Sequence, residues 1–194
     1  MSADLRVAGV ILAGGLGRRM GGIDKGLQPL RGRAMVQWVL ERLAPQVDEV
    51  LINANRHVQE YSAFGSRVID DRIEGFAGPL AGLHAGLCAT ALPFVATVPC
   101  DSPFLPADLI VRLKRALLQQ PVDLATVRAQ GRSHPVFCVC RRSVLQRLTA
   151  FLEGGGRKVE AWHGTLATVE VDFDDQAEAF SNINTPEELA HFEP

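Results

Sequence analysis

Residues 7–30 read VAGVILAGGLGRRMGGIDKGLQPL, an apolar run that empties into a loop of glycines and cations. Val7 to Leu12 is continuous, rich in β-branched residues and bounded by Gly14, Gly15 and Gly17, which fits a strand buried on both faces rather than an alternating surface strand. Outward from it, Val36, Val39, Leu40 and Leu43 recur at helical spacing, Pro45 closes that segment, and Val47 to Asn53 supplies a second strand. Tyr61 and Phe64 suggest a short helix, and Arg67 to Ile69 a third strand running into Asp70 and Asp71. Leu80 to Leu92 reads as a helix and Phe94 to Val98 as a fourth strand that ends at Pro99, Cys100 and Asp101. A helix over Leu105 to Leu118 follows, with Pro106 near its start. Strands alternating with helices in this way build a parallel, right-handed α/β sheet.

The second half changes rhythm. Leu124 to Val127 and Pro135 to Cys140 are short strands either side of Gln130 and Gly131, which predicts a hairpin and therefore a mixed sheet. A helix over Val144 to Leu152, a turn at Gly154 to Gly156, a short helix over Val159 to Trp162 and a strand around Leu166 to Val171 complete the pattern. Thr185, Pro186 and Glu188 supply an N-cap, a first-turn proline and a capping-box acid for a last helix. No repeat or linker divides the chain, so residues 1–194 are expected to form one domain.

Composition narrows the function. Twenty Lys and Arg against 22 Asp and Glu leave a net charge of -2, without the basic excess that a nucleic-acid backbone calls for. Gly75 to Cys100 carries no charged side chain, but Pro79, Pro93, Pro99 and His84 break it into turn, helix and strand rather than a membrane span. Asp4 ahead of the first apolar run, with Arg18 and Arg19 behind it, makes a poor signal peptide. Cys88, Cys100, Cys138 and Cys140 form no C-x-x-C pair, so reduced thiols of a cytoplasmic protein are expected.

The chemistry concentrates in the opening loop. Glycines let backbone N–H groups crowd onto phosphate oxygens, and Arg18, Arg19 and Lys25 balance their charge. Gly21 to Gly26 lacks the G-K-[S/T] of a Walker A loop, and Gly15, Gly17 and Met20 miss the third glycine of the dinucleotide pattern. A glycine turn with no ligand is the alternative, but with 17 Arg and only three Lys in the chain, a lysine inside this loop is not casual surface decoration. Asn53, Asp71 and Asp101 fall at the ends of the second, third and fourth strands, the edge where open α/β sheets bind ligands. Asp101, held between Pro99 and Pro103, suits Mg²⁺, which is commonly bound by one carboxylate and substrate phosphates.

These residues carry a family likeness. LAGGLGRRMGGIDK with a following PL resembles the signature of nucleoside-triphosphate transferases, and VPCDSPF with the closing FSNINTPEEL resembles the molybdenum cofactor guanylyltransferase (MobA) family. The likeness runs from Val7 to about Leu189; Leu16 and Gly17 depart from the small hydroxyl residue that many relatives carry there. It implies a three-layer Rossmann-like, glycosyltransferase-A-like nucleotidyltransferase fold with a mostly parallel, mixed sheet. Its N-terminal half would bind nucleotide and its C-terminal half the pterin substrate. The implied reaction moves GMP from GTP to the terminal phosphate of molybdopterin carrying molybdenum.

Residue by residue, the resemblance implies that Leu12, Ala13, Gly14 and Gly15 line the nucleotide with backbone, and that Lys25 and Arg19 meet its phosphates. Asn53 and Asp71 would contact base or ribose, Asp101 would hold Mg²⁺, and Asn182 and Asn184 would contact the pterin. Arg157, beside the Gly154 to Gly156 turn, is a candidate partner for the pterin phosphate, with a surface salt bridge as the alternative. A monomer is expected, handing its product to cofactor-insertion proteins or molybdoenzyme chaperones. A cytidylyltransferase on the same pterin, a sugar-phosphate nucleotidyltransferase and a non-catalytic nucleotide-sensing or docking module are the competing readings. His134 reads first as a structural histidine, Trp38 and Trp162 as packing, and Asp172, Asp174 and Asp175 as a solvated acidic loop.

Overall fold

The computed structural model describes residues 4–13, 24–73, 78–181 and 183. In chain order its elements begin with β1 (Val7–Leu12), the two-residue strands β2 (Pro29–Leu30) and β3 (Arg33–Ala34), α1 (Met35–Leu43), β4 (Glu49–Asn53), α2 (Val58–Ser62) and β5 (Arg67–Ile69). They continue with α3 (Pro79–Ala89), β6 (Phe94–Pro99), α4 (Leu109–Gln119), β7 (Leu124–Ala129), β8 (Arg132–Arg141), α5 (Leu145–Glu153), α6 (Val159–His163) and β9 (Thr168–Asp172).

Seven strands form one sheet in the order β5-β4-β1-β6-β8-β7-β9, and β8 alone runs against the rest. The parallel opening and the later hairpin both stand as the sequence pattern predicts. β7 and β8 turn at Gln130 and Gly131, both with positive φ. β1 is central, and its alternate residues feed two cores. Val7 and Ile11 join Val36, Val39, Leu43, Leu109 and Leu113 under α1 and α4, while Val10 joins Leu80, Leu83, Leu148 and Trp162 under α3, α5 and α6. That is a three-layer α/β/α arrangement, and it explains why the opening strand reads as continuously apolar.

Boundaries shift where local chemistry overrides periodicity. α4 begins at Leu109, not Leu105, because Leu105 precedes Pro106 and is held out of helical geometry, and the Pro106 carbonyl instead accepts from the Leu109 N–H. α3 ends at Ala89, where Thr90 Oγ1 donates to Glu49 Oε2 at 2.7 Å. The ribbon of β2 and β3 was not legible as strand. Nor is the acidic run merely solvated. Arg112 lies over the Phe173 ring at 3.8 Å, bridges to Asp175 at 2.9 Å and donates to the Asp172 carbonyl, while Asp174 Oδ1 accepts from the Gln130 N–H.

All four cysteines are free thiols. Cys138 and Cys140 face one way on β8, and burial pushes the Cys138 thiol up to about 11, so it stays protonated. Trp162 is wholly buried, and Trp38 Nε1 donates to the Leu30 carbonyl while Arg33 lies over its ring, so both tryptophans pack as expected. Among the described residues no helix is long and apolar enough to cross a membrane.

His163, at the end of α6, is 8% exposed, and its Nε2 has no partner among the described residues. Burial pulls its pKa down to about 4 from an ordinary 6.5, outweighing the opposing charge of Glu160. The unfolded chain therefore takes up this proton first, so folding stability falls as pH drops from about 6.5 towards 4, by about 3 kcal/mol at most. We expect His163→Phe to flatten the acid side of the stability curve. Urea midpoints of parent and variant at pH 7 and pH 4.5 check this, and an identical acid loss in both would remove His163 as its source.

Candidate active site

The strand order places the first and fourth large strands, β1 and β6, side by side at the point where the chain reverses its direction of travel across the sheet, and ligands collect at the carboxyl ends of strands there. The strand exits stay laced together past their last residues. Ala13 N–H donates to Asn53 O at 2.8 Å, Cys100 N–H to Leu12 O at 3.1 Å, and Ala54 N–H to Ile69 O at 2.9 Å. Side chains leaving these four strands therefore share one floor.

On that floor, Lys25 Nζ donates to Asp101 Oδ2 at 2.9 Å, with side chains 24% and 12% exposed. Lys25 opens a single turn of 3₁₀ helix, Lys25–Leu27, capped by Asp24, whose Oδ1 accepts from the Gly26 N–H at 3.1 Å. The same oxygen accepts from the hydroxyl of Tyr61 at 2.5 Å. Asp101 is fixed from its other side, because its carbonyl accepts from the Ile183 N–H at 2.9 Å. The Ile183 side chain is buried against Leu30 and Met35. Burial, with the charges of Asp101 and Asp24 beside it, pushes the Cys100 thiol far up, so the residue next to Asp101 is a protonated spacer.

A second cluster sits beneath α3. Asn53 Nδ2 donates to Asp71 Oδ1 at 2.9 Å and Asn55 Nδ2 to Asp71 Oδ2 at 2.7 Å, while Asn55 Oδ1 accepts from the Asp71 N–H at 2.8 Å. Both carboxylate oxygens are thus engaged and oriented by neutral amides. Asn53 is 3% exposed and leaves no room above it, since a Cβ on Gly82 of α3 would run into Asn53 Oδ1 and Leu12 Cδ2. Glycine at this position lets the helix close down on the exits of β1 and β4.

Of the residues expected from sequence, Leu12, Ala13, Lys25, Asn53, Asp71 and Asp101 converge on this edge. Gly14, Gly15, Arg18, Arg19, Asn182, Asn184 and the last helix from Thr185 lie outside the described residues. Arg157 is engaged at a helix end. Its Nη1 donates to the carbonyls of Leu152 and Gly156, both at 2.7 Å, at the end of α5, and it makes no salt bridge among the described residues. The reason is local: a helix end leaves carbonyls open, and an adjacent guanidinium satisfies them. His134 packs against the rings of Phe137 and Phe180, as a structural histidine does.

Asn55, Asp24, Tyr61 and Ile183 were not singled out. Asn55 stands two residues beyond Asn53, the spacing that keeps side chains on one side of an extended chain, and Asp24 adjoins Lys25. Those signals were present. Tyr61 and Ile183 carried none, because only the tertiary fold brings them here. Among the described residues no three His, Cys, Asp or Glu side chains gather as a metal cage.

Comparison with known proteins agrees with the architecture. The family described as the MobA-like NTP transferase domain matches residues 9–167. The molybdenum cofactor guanylyltransferase of Cupriavidus necator is 52% identical over 188 residues, covering 94% of each chain. The crystal structure of molybdopterin-guanine dinucleotide biosynthesis protein A from Archaeoglobus fulgidus superposes with a TM-score of 0.80 at 25% identity, covering 96% of both chains. The structure of 4-diphosphocytidyl-2C-methyl-D-erythritolsynthase from Anaerococcus prevotii shares the fold at a TM-score of 0.73 and 12% identity, covering 96% of this chain and 95% of that one. The α/β nucleotidyltransferase fold anticipated from the opening loop is therefore the fold observed.

The closeness of α3 to the strand exits has a measurable consequence. Gly82→Ala should cost about 1–3 kcal/mol through overpacking and displace Asn53 from Asp71. Urea unfolding and the NMR shift of the Asn53 side-chain amide read the two effects, and parental values for both would mean that the helix has slack to move away.

Proposed function

Because the chain belongs to the MobA-like NTP transferase family, we propose that it transfers GMP from GTP to the terminal phosphate of molybdenum-bearing molybdopterin, giving molybdopterin guanine dinucleotide and pyrophosphate. The observation that carries this reading is the Lys25–Asp101 ion pair at the switch point of the sheet.

An oxygen of the pterin's terminal phosphate attacks the α-phosphorus of GTP while the bond to the α–β bridging oxygen breaks, and that electron pair leaves with pyrophosphate. A phosphate monoester is already anionic near neutral pH, so no general base is required. The protein's task is to hold two anions together and to meet the charge that grows on the leaving group. Lys25 and Asp101 suit this because each keeps the other compensated until substrate arrives. Lys25 would then meet the phosphates, and Asp101 would hold a cation. One carboxylate with open lone pairs, next to a triphosphate, fits Mg²⁺, which favours oxygen ligands and few protein ones. Mg²⁺ bound there supplies further neutralisation of the leaving pyrophosphate.

The rest of the assignment follows the same edge. The backbone of Leu12, Ala13, Gly14 and Gly15 lines the nucleotide, Arg19 adds a second cation, and Asp71, held by Asn53 and Asn55, offers acceptor oxygens to base or ribose. Asn182 and Asn184 contact the pterin, flanking an Ile183 that is itself tied to Asp101, while Arg157 Nη1 donates to backbone carbonyls at the end of α5. The N-terminal half of residues 1–194 thus serves the nucleotide and the C-terminal half the pterin. The chain acts as a cytoplasmic monomer that passes its product to cofactor-insertion partners. Its exposed large apolar side chains among the described residues, Leu5, Val58, Val111 and Leu118, are few, which supports a monomer.

Purified protein with Mg²⁺, molybdenum-loaded molybdopterin and each α-labelled nucleoside triphosphate tests the reading. We expect label in the pterin dinucleotide from GTP and from no other nucleotide. Lys25→Ala and Asp101→Ala should each lower turnover by roughly a hundredfold or more with melting temperature retained. Label from CTP would move the base preference, and full activity in either variant would remove the ion pair from the mechanism.

A further inference from the structure

Lys25 is held at two places, and only one of them is its ammonium. Its backbone lies in the turn formed by Asp24, Lys25 and Gly26, closed when Asp24 Oδ1 accepts from the Gly26 N–H at 3.1 Å. The Tyr61 hydroxyl, from α2, donates to that same oxygen at 2.5 Å. Tyr61 is wholly buried and Asp24 is 8% exposed, so the contact is shielded from water. A Cβ on Gly26 would collide with the Tyr61 hydroxyl and stand 3.3 Å from Cys100 Sγ. The turn is therefore wedged between the phenol and the residue that precedes Asp101.

We propose that Tyr61 is a positioning residue for Lys25, fixing through Asp24 the turn from which the lysine reaches both Asp101 and the phosphates of the nucleotide. The inference rests on the reading of Lys25 as a phosphate ligand. A lysine side chain has four rotatable bonds, and its direction is set only as well as its backbone is. When a phosphate replaces Asp101 at Nζ, the constraint at the ammonium end changes hands, and the Tyr61–Asp24 hydrogen bond remains to keep the stem aimed. The phenol is suited to permanence. Burial, with Cys100 and Asp24 nearby, holds its proton far above the ordinary tyrosine range, so it donates throughout any working pH. The residue does not touch substrate and takes no part in bond making.

A double-mutant cycle separates this role from simple support of the fold. Transfer of GMP and the dissociation constant for GTP with Mg²⁺ are measured for the parent, Tyr61→Phe, Lys25→Ala and the double variant. Tyr61→Phe should weaken GTP binding and lower kcat/KM by about tenfold, the size of a lost hydrogen bond to a charged group. On the Lys25→Ala background the same substitution should change GTP binding by less than about twofold, because there is no lysine left to aim. An equal penalty in both backgrounds, or none in the parent, overturns the proposal. If Tyr61→Phe fails to fold, Asp24→Ser, which lacks the carboxylate that Tyr61 grips, takes its place in the same two backgrounds, read the same way. A parent chain that binds GTP but transfers no label would defeat the proposed reaction while leaving the binding cycle to decide on Tyr61.

Discussion

One ion pair joins the two halves of the active edge: Lys25 Nζ to Asp101 Oδ2, 2.9 Å, between the segment after β1 and the exit of β6. Its contribution to folding is small, because desolvating two charges offsets most of their attraction. Its value lies in what surrounds it. Leu12 and Pro99 are paired in register at the ends of β1 and β6, so the backbones that carry the two charges leave the sheet as neighbours. Each partner compensates the charge of the other across 2.9 Å.

The packing behind the pair explains why the site is rigid where it must be. β1 is buried on both faces, and α3 lies close enough over it that a methyl group at position 82 would strike Leu12 and Asn53. Asp71 is held by the side-chain amides of Asn53 and Asn55 on both of its oxygens, so its carboxylate is oriented before any ligand binds. The cationic chemistry stays on the other side of β1, with Lys25.

Most of this was readable before any coordinates. The apolar run at Val7–Leu12, the alternation of strands and helices, and Gln130–Gly131 gave the mixed sheet, because strand burial and turn chemistry are local and leave local marks. Lys25, Asn53, Asp71 and Asp101 were legible for the same reason: each follows directly on a strand or on a glycine loop. What escaped depends on distance. Tyr61 lies 37 positions from Asp24, and nothing in its own segment distinguishes it from a core aromatic. Arg112 is 63 positions from Asp175, so the acidic run looked solvated although a guanidinium from α4 binds it. Arg157 had a local partner that its own segment did not announce: the open carbonyls of Leu152 and Gly156, which accept from its Nη1 at the end of α5.

The C-terminal segment completes the logic of the edge. Ile183 returns to the sheet edge to donate its N–H to the carbonyl of Asp101, and buries its side chain with Leu30 and Met35, which lie just beyond the Lys25 turn. A residue whose two neighbours are asparagines is thereby anchored on the backbone of Asp101, and beside the segment that carries Lys25. Two substrates must meet within bonding distance in this reaction, and proximity of that order accounts for much of the rate that an enzyme without acid–base chemistry can supply. A main-chain hydrogen bond, rather than a long side chain, ties the Ile183 backbone to Asp101 and so to the sheet itself.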